Sequence, residues 1–257
     1  MKNPMSLEGN NVIVTGAGQG IGEAVARLVV DLGGRAILVD LQGDKVGAVA
    51  ASLGADRAEA HVGSVADPSF VQDMVGKVVA RHGAVHGLVN NAGIVRAAMI
   101  HKMSAATWQQ VIDVNLSGVF YCLQAVGRHM LERADAGDKS PATIVNISSD
   151  AGRRGTIGQI NYGAAKSGVM GITMSAAREW APKGIRVNSI CFGVVETEMT
   201  ETIRSDKFRD RVLAQVPMGR FSNPEEVSQP VCFLLSPAAS YITGQHLSVN
   251  GGYTIGV

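Results

Sequence analysis

A tyrosine and a lysine four residues apart are the first candidates for chemistry in this sequence. Tyr162 and Lys166 lie on one predicted helix, and this spacing places both side chains on the same helix face. A phenol with its ordinary pKa of about 10 is a poor base at neutral pH. A neighbouring ammonium stabilises the phenolate and therefore lowers the pKa of Tyr162. The pair predicts an acid/base group that exchanges a proton with an alcohol oxygen.

A glycine-rich segment near the start of the chain is typical of a phosphate site. The segment TGAGQGIG, residues 15–22, follows a predicted strand and begins a predicted helix. Gly16 permits a sharp turn, while Gly20 and Gly22 allow close approach of backbone to a pyrophosphate and of helix to sheet. The helix N-terminus supplies unpaired N–H groups and a positive dipole end. The alternative is a glycine-rich connection that binds nothing.

An acidic residue at the end of the second predicted strand favours a dinucleotide ligand. Asp40 lies 18 residues after Gly22, where a carboxylate can accept hydrogen bonds from ribose hydroxyls. A carboxylate there would repel the additional phosphate of NADP, and Leu41 follows with no basic residue beside it. We therefore predict NAD as the cofactor, with NADP as the less favoured choice. The alternative role of Asp40 is to cap the next helix.

These residues require a scaffold of alternating strands and helices. Several predicted strands are continuous apolar runs, which indicates a parallel sheet covered on both faces. The predicted strands are Asn11–Thr15, Arg35–Asp40, Ala58–Val62, Gly87–Asn90, Ala142–Ser148, Ile185–Ile190 and His246–Val249. The pattern predicts an α/β fold, a Rossmann-type doubly wound parallel sheet of about seven strands with helices on both faces. We expect one domain over residues 1–257, with the chemistry at the carboxyl edge of the sheet.

The helical segments have recognisable starts. Pro68 and Pro224 suit a first helical turn behind the capping residues Asp67 and Asn223. The predicted helices are Ile21–Leu32, Pro68–His82, Trp108–Arg133, Tyr162–Ala181 and Pro224–Leu235. The polar residues 134–141 predict a surface loop, and residues 197–221 follow a strand in a manner that suggests a mobile lid.

Six motifs in a fixed order carry a resemblance to a known family. They are TGAGQGIG, NNAG at 90–93, VNLSG at 114–118, ISS ending at Ser149, YGAAK at 162–166 and VNGG at 249–252. Each motif is weak alone, but the ordered set is specific. From residue 7 to the C-terminus, the chain resembles the short-chain dehydrogenase/reductase family in its compact form.

The resemblance implies roles for individual residues. It implies that Lys166 also holds the nicotinamide ribose, that Ser149 orients the substrate oxygen and that Asn115 supports a proton relay through water. We chose Ser149 over Ser148 because Ser149 lies 13 residues before Tyr162, the usual spacing of the family. The expected cofactor-binding set is Gly16, Gln19, Gly20, Ile21, Gly22, Asp40, Leu41, Ser64, Val65, Asn90, Asn91, Ala92, Gly93, Tyr162, Lys166, Val195 and Thr197. Asn90 and Asn91 have a second interpretation, which is to brace the sheet edge.

Two residues depart from the family pattern. Ser64 stands where the family usually has an acid that binds the adenine amino group, and Ser brings no charge to that contact. Phe192 stands where the family commonly has proline before Gly193, so that the loop is less rigid and an aromatic ring can face the nicotinamide or the substrate. Neither departure removes a predicted catalytic group.

The sequence leaves the substrate open. Our first hypothesis is an NAD(H)-dependent oxidoreductase that transfers hydride between the cofactor and a secondary alcohol or ketone in a largely apolar pocket. The predicted walls include Ile157, Ile160, Phe192, Met199 and Phe221, while Arg153 and Arg154 offer cations for a substrate carboxylate or stand solvated.

Two other functions are weighed against the first hypothesis. The alternative is a 3-oxoacyl-[acyl-carrier-protein] reductase that uses NADPH, which the C-terminal third resembles; Gln19 and Asp40 speak against it. Such an enzyme would need exposed arginines such as Arg128 or Arg178 for an acidic carrier. A non-catalytic NAD-binding protein is less favoured because Ser149, Tyr162 and Lys166 are all present.

Composition narrows the partners and the compartment. A net charge of +1 over 257 residues does not favour nucleic acid or an anionic membrane surface. The three cysteines lie far apart, which speaks against a disulfide framework and a metal site. The sequence contains no long apolar run and no apolar run near Met1, so we expect no membrane span, no signal peptide and a cytoplasmic location. The family resemblance implies a homotetramer.

Overall fold

Seven parallel strands form the sheet at the centre of this protein. The computed structural model describes residues 3–139 and 142–256, and the domain prediction also covers the few residues outside these ranges. The strands β1 to β7 lie at Asn11–Thr15, Arg35–Asp40, Ala58–Val62, Gly87–Asn90, Ala142–Ser149, Ile185–Phe192 and His246–Val249. Their order across the sheet is β3-β2-β1-β4-β5-β6-β7, and every pair is parallel. The predicted Rossmann-type α/β fold is confirmed.

Helices cover both faces of this sheet. The helices α1 to α10 lie at Gly20–Asp31, Gly43–Leu53, Pro68–His82, Ala105–Ile112, Gly118–Asp135, Asp150–Arg154, Ile160–Trp180, Glu201–Arg204, Arg209–Leu213 and Pro224–Leu235. On one face, α1, α2 and α10 pack on strand residues such as Val14 and Leu38; on the other, α3, α5 and α7 pack on residues such as Ile13 and Leu88. Because successive side chains of a strand point to opposite faces, apolar residues at consecutive positions serve both cores.

The long helix predicted over Trp108–Arg133 is interrupted. The structure has α4 at Ala105–Ile112, a π-helical turn at Asp113–Ser117 and then α5 at Gly118–Asp135. A π-helical turn contains an additional residue, so apolar periodicity continues across it and gives little sign of the interruption. Helix α2 was not predicted; its buried residues are Val46 and Val49.

Other boundaries differ by a few residues or match. Strands β5 and β6 extend by one and two residues beyond the predicted ends. The side chain of Asp67 accepts hydrogen bonds from the N–H groups of Ser69 and Phe70 at the start of α3, and Asn223 accepts from Glu226 at the start of α10, as predicted.

Two predicted loops contain more order than expected. Residues 197–221 contain a 3-10 turn and the short helices α8 and α9. In the loop predicted at 134–141, α5 continues to Asp135, while residues 140 and 141 lie outside the described residues.

The strand order creates a cleft at the carboxyl edge of the sheet. Strand β1 pairs with β2 on one side and with β4 on the other, so the chain departs in opposite directions from this point. Loops that leave the two halves diverge there, and open α/β sheets bind their ligands in this crevice. The predicted chemical residues follow β1, β2, β4, β5 and β6 at this edge.

Candidate active site

A groove of about 460 Å³ lies along the carboxyl edge of the sheet. Most residues of the predicted cofactor and catalytic sets line it: Gly16, Gln19, Gly20, Ile21, Asp40, Leu41, Ser64, Val65, Asn91, Ala92, Gly93, Ser149, Tyr162, Lys166, Val195 and Thr197. Gly22, Asn90 and Asn115 are in the predicted sets but do not line the groove. The groove therefore brings together residues from five strand ends that are far apart in the sequence.

The glycine-rich segment forms the floor at one end of the groove. Gly16 has a φ of +66°, which favours glycine, and its N–H donates to the carbonyl of Val39 at 2.7 Å. A Cβ at Gly22 would lie 2.1 Å from the carbonyl oxygen of Gly16, so only glycine lets α1 pack this closely. Gly22 thus serves helix packing rather than the groove wall.

The start of α1 is suited to phosphate. Helix α1 begins at Gly20, and no side chain of the described residues caps its first turn. Thr197 crosses from the far side, where its Cγ2 would lie 3.3 Å from a Cβ at Gly20. A side chain on Gly20 would fill this cradle, so the glycine backbone and the free N–H groups fit the pyrophosphate of a dinucleotide.

The carboxylate of Asp40 braces the glycine-rich segment from β2. Its Oδ2 accepts the N–H of Gly18 at 2.9 Å, and its Oδ1 accepts the N–H of Gln42 at 2.9 Å. Each oxygen retains acceptor capacity toward the groove, which fits ribose hydroxyls. Leu41 beside it is 70% exposed.

A basic residue near this end of the groove escaped the sequence analysis. Lys45 on α2 donates to the Oε1 of Gln19, and its ammonium lies 3.4 Å from the carboxylate of Glu198. The Cβ atom of Lys45 lies near Gly18, beside Asp40. Our expectation that no basic residue stands near Asp40 holds for the adjacent positions only. Lys45 was missed because α2 was not predicted, so its direction relative to the groove could not be inferred.

The adenine end of the predicted site is lined by small residues. Ser64 uses its Oγ to accept the N–H of Ala66 at 3.2 Å. Val65 is buried against Gly118, at which a Cβ would lie 2.8 Å from the Val65 Cγ2. This contact fixes the wall by packing.

The predicted catalytic group occupies the middle of the groove. Ser149 ends β5 and forms a side-chain hydrogen bond with Tyr162 on α7. The Lys166 Nζ lies 5.7 Å from the centre of the Tyr162 ring and donates to the carbonyl of Ile147 at 2.7 Å. Ser148 points elsewhere, because its Oγ donates to the carbonyl of Lys166 at 2.8 Å and is buried. The structure thus places Ser149, not Ser148, beside the phenol.

Burial opposes both charges in this group. Burial raises the pKa of Tyr162, and the hydrogen bond with Ser149 only partly offsets that effect. Burial also lowers the pKa of Lys166 to about 8. The expectation that Lys166 brings the pKa of Tyr162 below its ordinary value is therefore not met by the protein alone.

Asn115 holds the chain beside the groove. It is fully buried in the π-helical turn, where its Oδ1 accepts the N–H of Ile94 at 2.8 Å and its Nδ2 donates to the carbonyl of Ile94 at 3.0 Å. Ile94 lines the groove. The wide turn directs Asn115 toward the loop after β4, so its contact with the groove is indirect.

The two asparagines at the end of β4 have different roles. Asn90 is 2% exposed and donates from its Nδ2 to the Oδ1 of Asn146 at 2.9 Å, so it braces β4 against β5, which is the second of its two interpretations; its place in the cofactor set stays a prediction. Asn91 lines the groove and donates to the carbonyls of Thr15 and Gly16 at 3.0 and 3.1 Å. Asn91 therefore fixes the glycine-rich segment and borders the groove as well.

The groove wall near Tyr162 is mostly apolar. Ile94, Val114 and Ile147 contribute to this wall. The residues that line the groove as a whole but were absent from the predicted sets are Val39, Gln42, Gly63, Ile94, Val114, Ile147, Ser148, Gly193, Glu198 and Thr200. Phe192 and Met199, predicted as substrate walls, line it too. Most of the missed residues adjoin a predicted one, so proximity to a strand end was the available sign.

Three other predicted wall residues lie elsewhere. Ile157 is 81% exposed, Ile160 is 39% exposed, and Phe221 is buried beside the guanidinium of Arg209. None of the three lines the groove.

Arg153 and Arg154 are engaged by the C-terminal segment rather than offered to a substrate. Arg153 donates to the carbonyl of His246 at 2.6 Å and to the Oγ of Ser248 at 2.7 Å. Arg154 donates to the carbonyl of Tyr253 and stacks on its ring at 4.0 Å. The proposed carboxylate contact is therefore corrected: these guanidinium groups already have partners.

Over 3–139 and 142–256 there is no cluster of three or more metal-ligating side chains. Cys122, Cys191 and Cys232 are buried as free thiols. None of the helices in these ranges is long and apolar enough to cross a membrane.

The chain is similar to known proteins over nearly its whole length. A family model described as enoyl-(acyl carrier protein) reductase matches residues 16–254. The chain is 39% identical over 253 residues to the 3-oxoacyl-[acyl-carrier-protein] reductase of Thermotoga maritima, covering 98% of this chain and all of that one.

Solved structures are similar over the same length. A putative NAD(P)-dependent gluconate 5-dehydrogenase from Beutenbergia cavernae, with NADP bound at low occupancy, has a TM-score of 0.91 and 35% identity. A putative 2-deoxy-D-gluconate 3-dehydrogenase from Agrobacterium tumefaciens, with bound NADP, has a TM-score of 0.86 and 36% identity. Each comparison covers 98% of this chain and 99% of the other.

Proposed function

The chain belongs to the short-chain dehydrogenase/reductase family of nicotinamide-dependent oxidoreductases, and we propose that it transfers hydride between NAD(H) and a secondary alcohol or its ketone. The observation that supports this most is the convergence of Ser149, Tyr162 and Lys166 on one groove, whose other end is formed by the glycine-rich segment and Asp40. A non-catalytic role would not require a buried lysine beside a tyrosine, since burial of the ammonium is costly.

The chain's own groups define the proton side of the reaction. A bound nicotinamide would supply or accept the hydride. Tyr162 gives a proton to the substrate oxygen in reduction and takes it in oxidation, while Ser149 donates a hydrogen bond that orients the same oxygen. The positive charge of Lys166 stabilises the phenolate. Asn115 holds the Ile94 wall against which the substrate and cofactor are oriented.

The choice of NAD(H) rests on charge. The Asp40 carboxylate lies where the adenosine ribose would bind, and a ribose phosphate there would meet a like charge. Two observations support NADP(H) as the second candidate: NADP is bound in the two similar structures, and the Cβ of Lys45 lies beside Gly18 and Asp40 while its ammonium contacts Gln19 and Glu198 of the groove. In this chain the Lys45 ammonium already binds Gln19 and Glu198, which is why we rank NAD(H) first.

Cofactor titration tests this choice. Purified protein is titrated with NADH and NADPH, with cofactor fluorescence as the signal, beside the variants Asp40→Ala and Lys45→Met. We expect tighter NADH binding by about tenfold, or 1.4 kcal/mol, and loss of that preference in Asp40→Ala. Tighter NADPH binding that weakens in Lys45→Met would overturn the choice. Absence of binding to either cofactor would contradict the proposed function.

The groove favours a substrate with an apolar part next to the reacting carbon. Ile94, Ile147, Phe192 and Met199 form this part of the wall. A 3-oxoacyl thioester has a ketone beside such a chain, and the similarity to a 3-oxoacyl-[acyl-carrier-protein] reductase supports this class. The second class is a polyhydroxy acid, which the similarity to the gluconate dehydrogenases supports.

A substrate panel separates these classes. Acetoacetyl-CoA is assayed with NADH and NADPH, and gluconate and simple secondary alcohols are assayed with NAD and NADP. The apolar wall predicts turnover of acetoacetyl-CoA and of apolar secondary alcohols above gluconate. Faster turnover of gluconate would reverse the order. Cofactor binding with no turnover across the panel would favour the non-catalytic alternative.

A carrier protein would need a cationic docking surface. Arg128 and Arg178 are both exposed on the helices α5 and α7. If the substrate is carrier-linked, replacing either arginine with Ala should raise KM for a carrier-bound substrate and leave KM for acetoacetyl-CoA unchanged.

We also propose that the protein assembles as a homotetramer. The family resemblance implies this state, and large apolar side chains are exposed on three helices: Trp108 on α4, Phe120 on α5 and Met174 on α7 are 36%, 43% and 47% exposed. Leu247 of β7 is 38% exposed at the sheet edge. Analytical ultracentrifugation tests this proposal, and a monomer at micromolar concentration would contradict it.

A further inference from the structure

A buried carboxylate follows Ser149 directly. Asp150 is 3% exposed, and its two oxygens accept hydrogen bonds from the Nδ2 of Asn250 at 3.1 and 2.9 Å. Burial raises the pKa of Asp150, while Asn250 and the nearby Arg153 and Arg154 act in the opposite direction. A carboxylate in this position is costly unless its geometry serves a purpose, because an apolar side chain would pack at lower cost.

Asn250 connects this carboxylate to the groove wall. A Cβ at Gly193 would lie 2.9 Å from the Cβ of Asn250, so the backbone of Gly193 packs flat against it. Gly193 and the preceding Phe192 line the groove. Asn250 also donates to the carbonyl of Thr254 at 3.1 Å and accepts the N–H of Gly252 at 3.0 Å, which fixes its amide in one orientation.

The same turn anchors the end of the segment predicted as a lid. We call residues 250–254 the C-terminal turn. The N–H of Met218 donates to the carbonyl of Gly251 at 3.1 Å, and a Cβ at Gly252 would lie 2.9 Å from Pro217. The C-terminal turn therefore touches Asp150 just after β5, Gly193 just after β6, and the segment predicted as a lid.

We propose that Asp150 and Asn250 form a positioning pair that holds Ser149 and the wall at Phe192–Gly193 in their reactive arrangement. The proposal rests on the proposed function, because it assigns the pair to that same site. Asp150 does not line the groove, so it acts through Ser149, which precedes it by one residue. The Nδ2 of Asn250 lies within hydrogen-bond distance of both carboxylate oxygens, and such directional contacts restrict orientation as well as distance, whereas an apolar contact restricts distance alone.

Single substitutions remove the match between the partners. Asp150→Asn sets one amide nitrogen against another, and Asn250→Asp sets two carboxylates within about 3 Å of each other. We expect each variant to lower kcat about tenfold or more with KM for cofactor within twofold, since a small displacement of an orienting group acts on the reacting geometry. Asp73→Asn on the exposed surface of α3 is the matched control and should match wild type.

An exchanged pair provides the rescue. The double variant Asp150→Asn with Asn250→Asp restores a carboxylate facing an amide but loses the hydrogen bond from position 250 to the Thr254 carbonyl, so it should recover part of the lost activity. Asn250→Asp alone should regain activity as the pH falls from 8 to 5, because two close carboxylates share a proton. The other groups facing Asp150 are Arg153, Arg154 and Cys191. The arginines stay protonated across this range, and burial raises the pKa of Cys191.

Two readouts separate this proposal from failure of the proposed function. Thermal unfolding and amide hydrogen exchange of peptides spanning 145–155, 190–195 and 214–222 require no substrate. If wild type turns over nothing in the panel, the proposed function fails. The positioning pair would still be supported if hydrogen exchange were faster in all three peptides of the single variants and slower again in the exchanged pair. Single variants with kcat within twofold of wild type, or an exchanged pair no better than the worse single variant, would overturn it.

Discussion

Removal of the charge on Lys166 should move the pH dependence of the reaction by a calculable amount. The Lys166 Nζ lies 5.7 Å from the centre of the Tyr162 ring. At an effective dielectric constant of about 20, a unit charge at that distance stabilises a phenolate by about 3 kcal/mol, which corresponds to about 2 pH units. Burial already raises the pKa of Tyr162, so loss of the ammonium acts in the same direction. In Lys166→Met the pKa of Tyr162 therefore rises further.

The assay is the pH profile of kcat/KM in the alcohol-oxidising direction at saturating cofactor. Oxidation needs the phenolate as base, so activity rises with pH, and the midpoint of that rise should shift upward by up to about 2 units in Lys166→Met. The full shift requires that Lys166, whose pKa burial lowers to about 8, be held protonated by the phenolate that forms beside it. Lys166→Arg keeps the charge and should shift the midpoint by less than about 0.5 units. Cofactor affinity is measured separately, since the same lysine is expected to bind the nicotinamide ribose.

Stability provides the control for folding. Burial lowers the pKa of Lys166 to about 8, which means that the buried ammonium destabilises the folded protein at neutral pH. The Tm of Lys166→Met should therefore be no lower than that of wild type. A well-folded Lys166→Met that binds cofactor and keeps the wild-type midpoint would refute the assignment of Lys166 as the group that stabilises the phenolate.

Three further predictions follow from the contacts. Gly22→Ala places a Cβ 2.1 Å from the Gly16 carbonyl oxygen and should cost about 1–3 kcal/mol of stability and weaken cofactor binding; an unchanged Tm would contradict the steric argument. Burial lowers the pKa of His86 to about 4, so between pH 6.5 and 4 the unfolded state binds a proton at this residue and the folded state does not. Over that range the free energy of unfolding, measured in urea, should fall by about 2 kcal/mol more for wild type than for His86→Gln. Equal decreases would contradict the argument. Ser149→Ala should lower kcat about 100-fold at unchanged Tm, whereas Ser148→Ala should lower Tm with kcat nearly unchanged; the reverse pattern would exchange their roles.

The strand pattern and the ordered motifs predicted the fold and most of the groove. Apolar runs and glycine positions follow local rules, so they can be read from the chain directly. The spacing of four between Tyr162 and Lys166 gave their shared face, and α7 carries them as expected. Asp40 and the glycine-rich segment also meet at the edge where the parallel arrangement places strand ends.

The remaining features depend on contacts between distant residues. Arg153 looked available for a substrate because its partners, His246 and Ser248, lie more than 90 residues away. The two interpretations of Asn90 stayed open because nothing nearby in the sequence shows that Asn146 accepts its amide. Lys45 lies on α2, which was not predicted and whose buried residues are Val46 and Val49. Tertiary packing decided each of these positions, and local patterns do not encode it.

The π-helical turn at Asp113–Ser117 has a consequence for how this chain tolerates changes in length. The turn contains one residue more than a regular α-helix needs, so α4 and α5 are out of phase by about 100° relative to a continuous helix. Deleting one residue here would give a locally better helix, yet it would rotate Asn115 away from Ile94 and release the loop that borders the groove. At this point of the chain, improved local geometry and an intact site are therefore mutually exclusive.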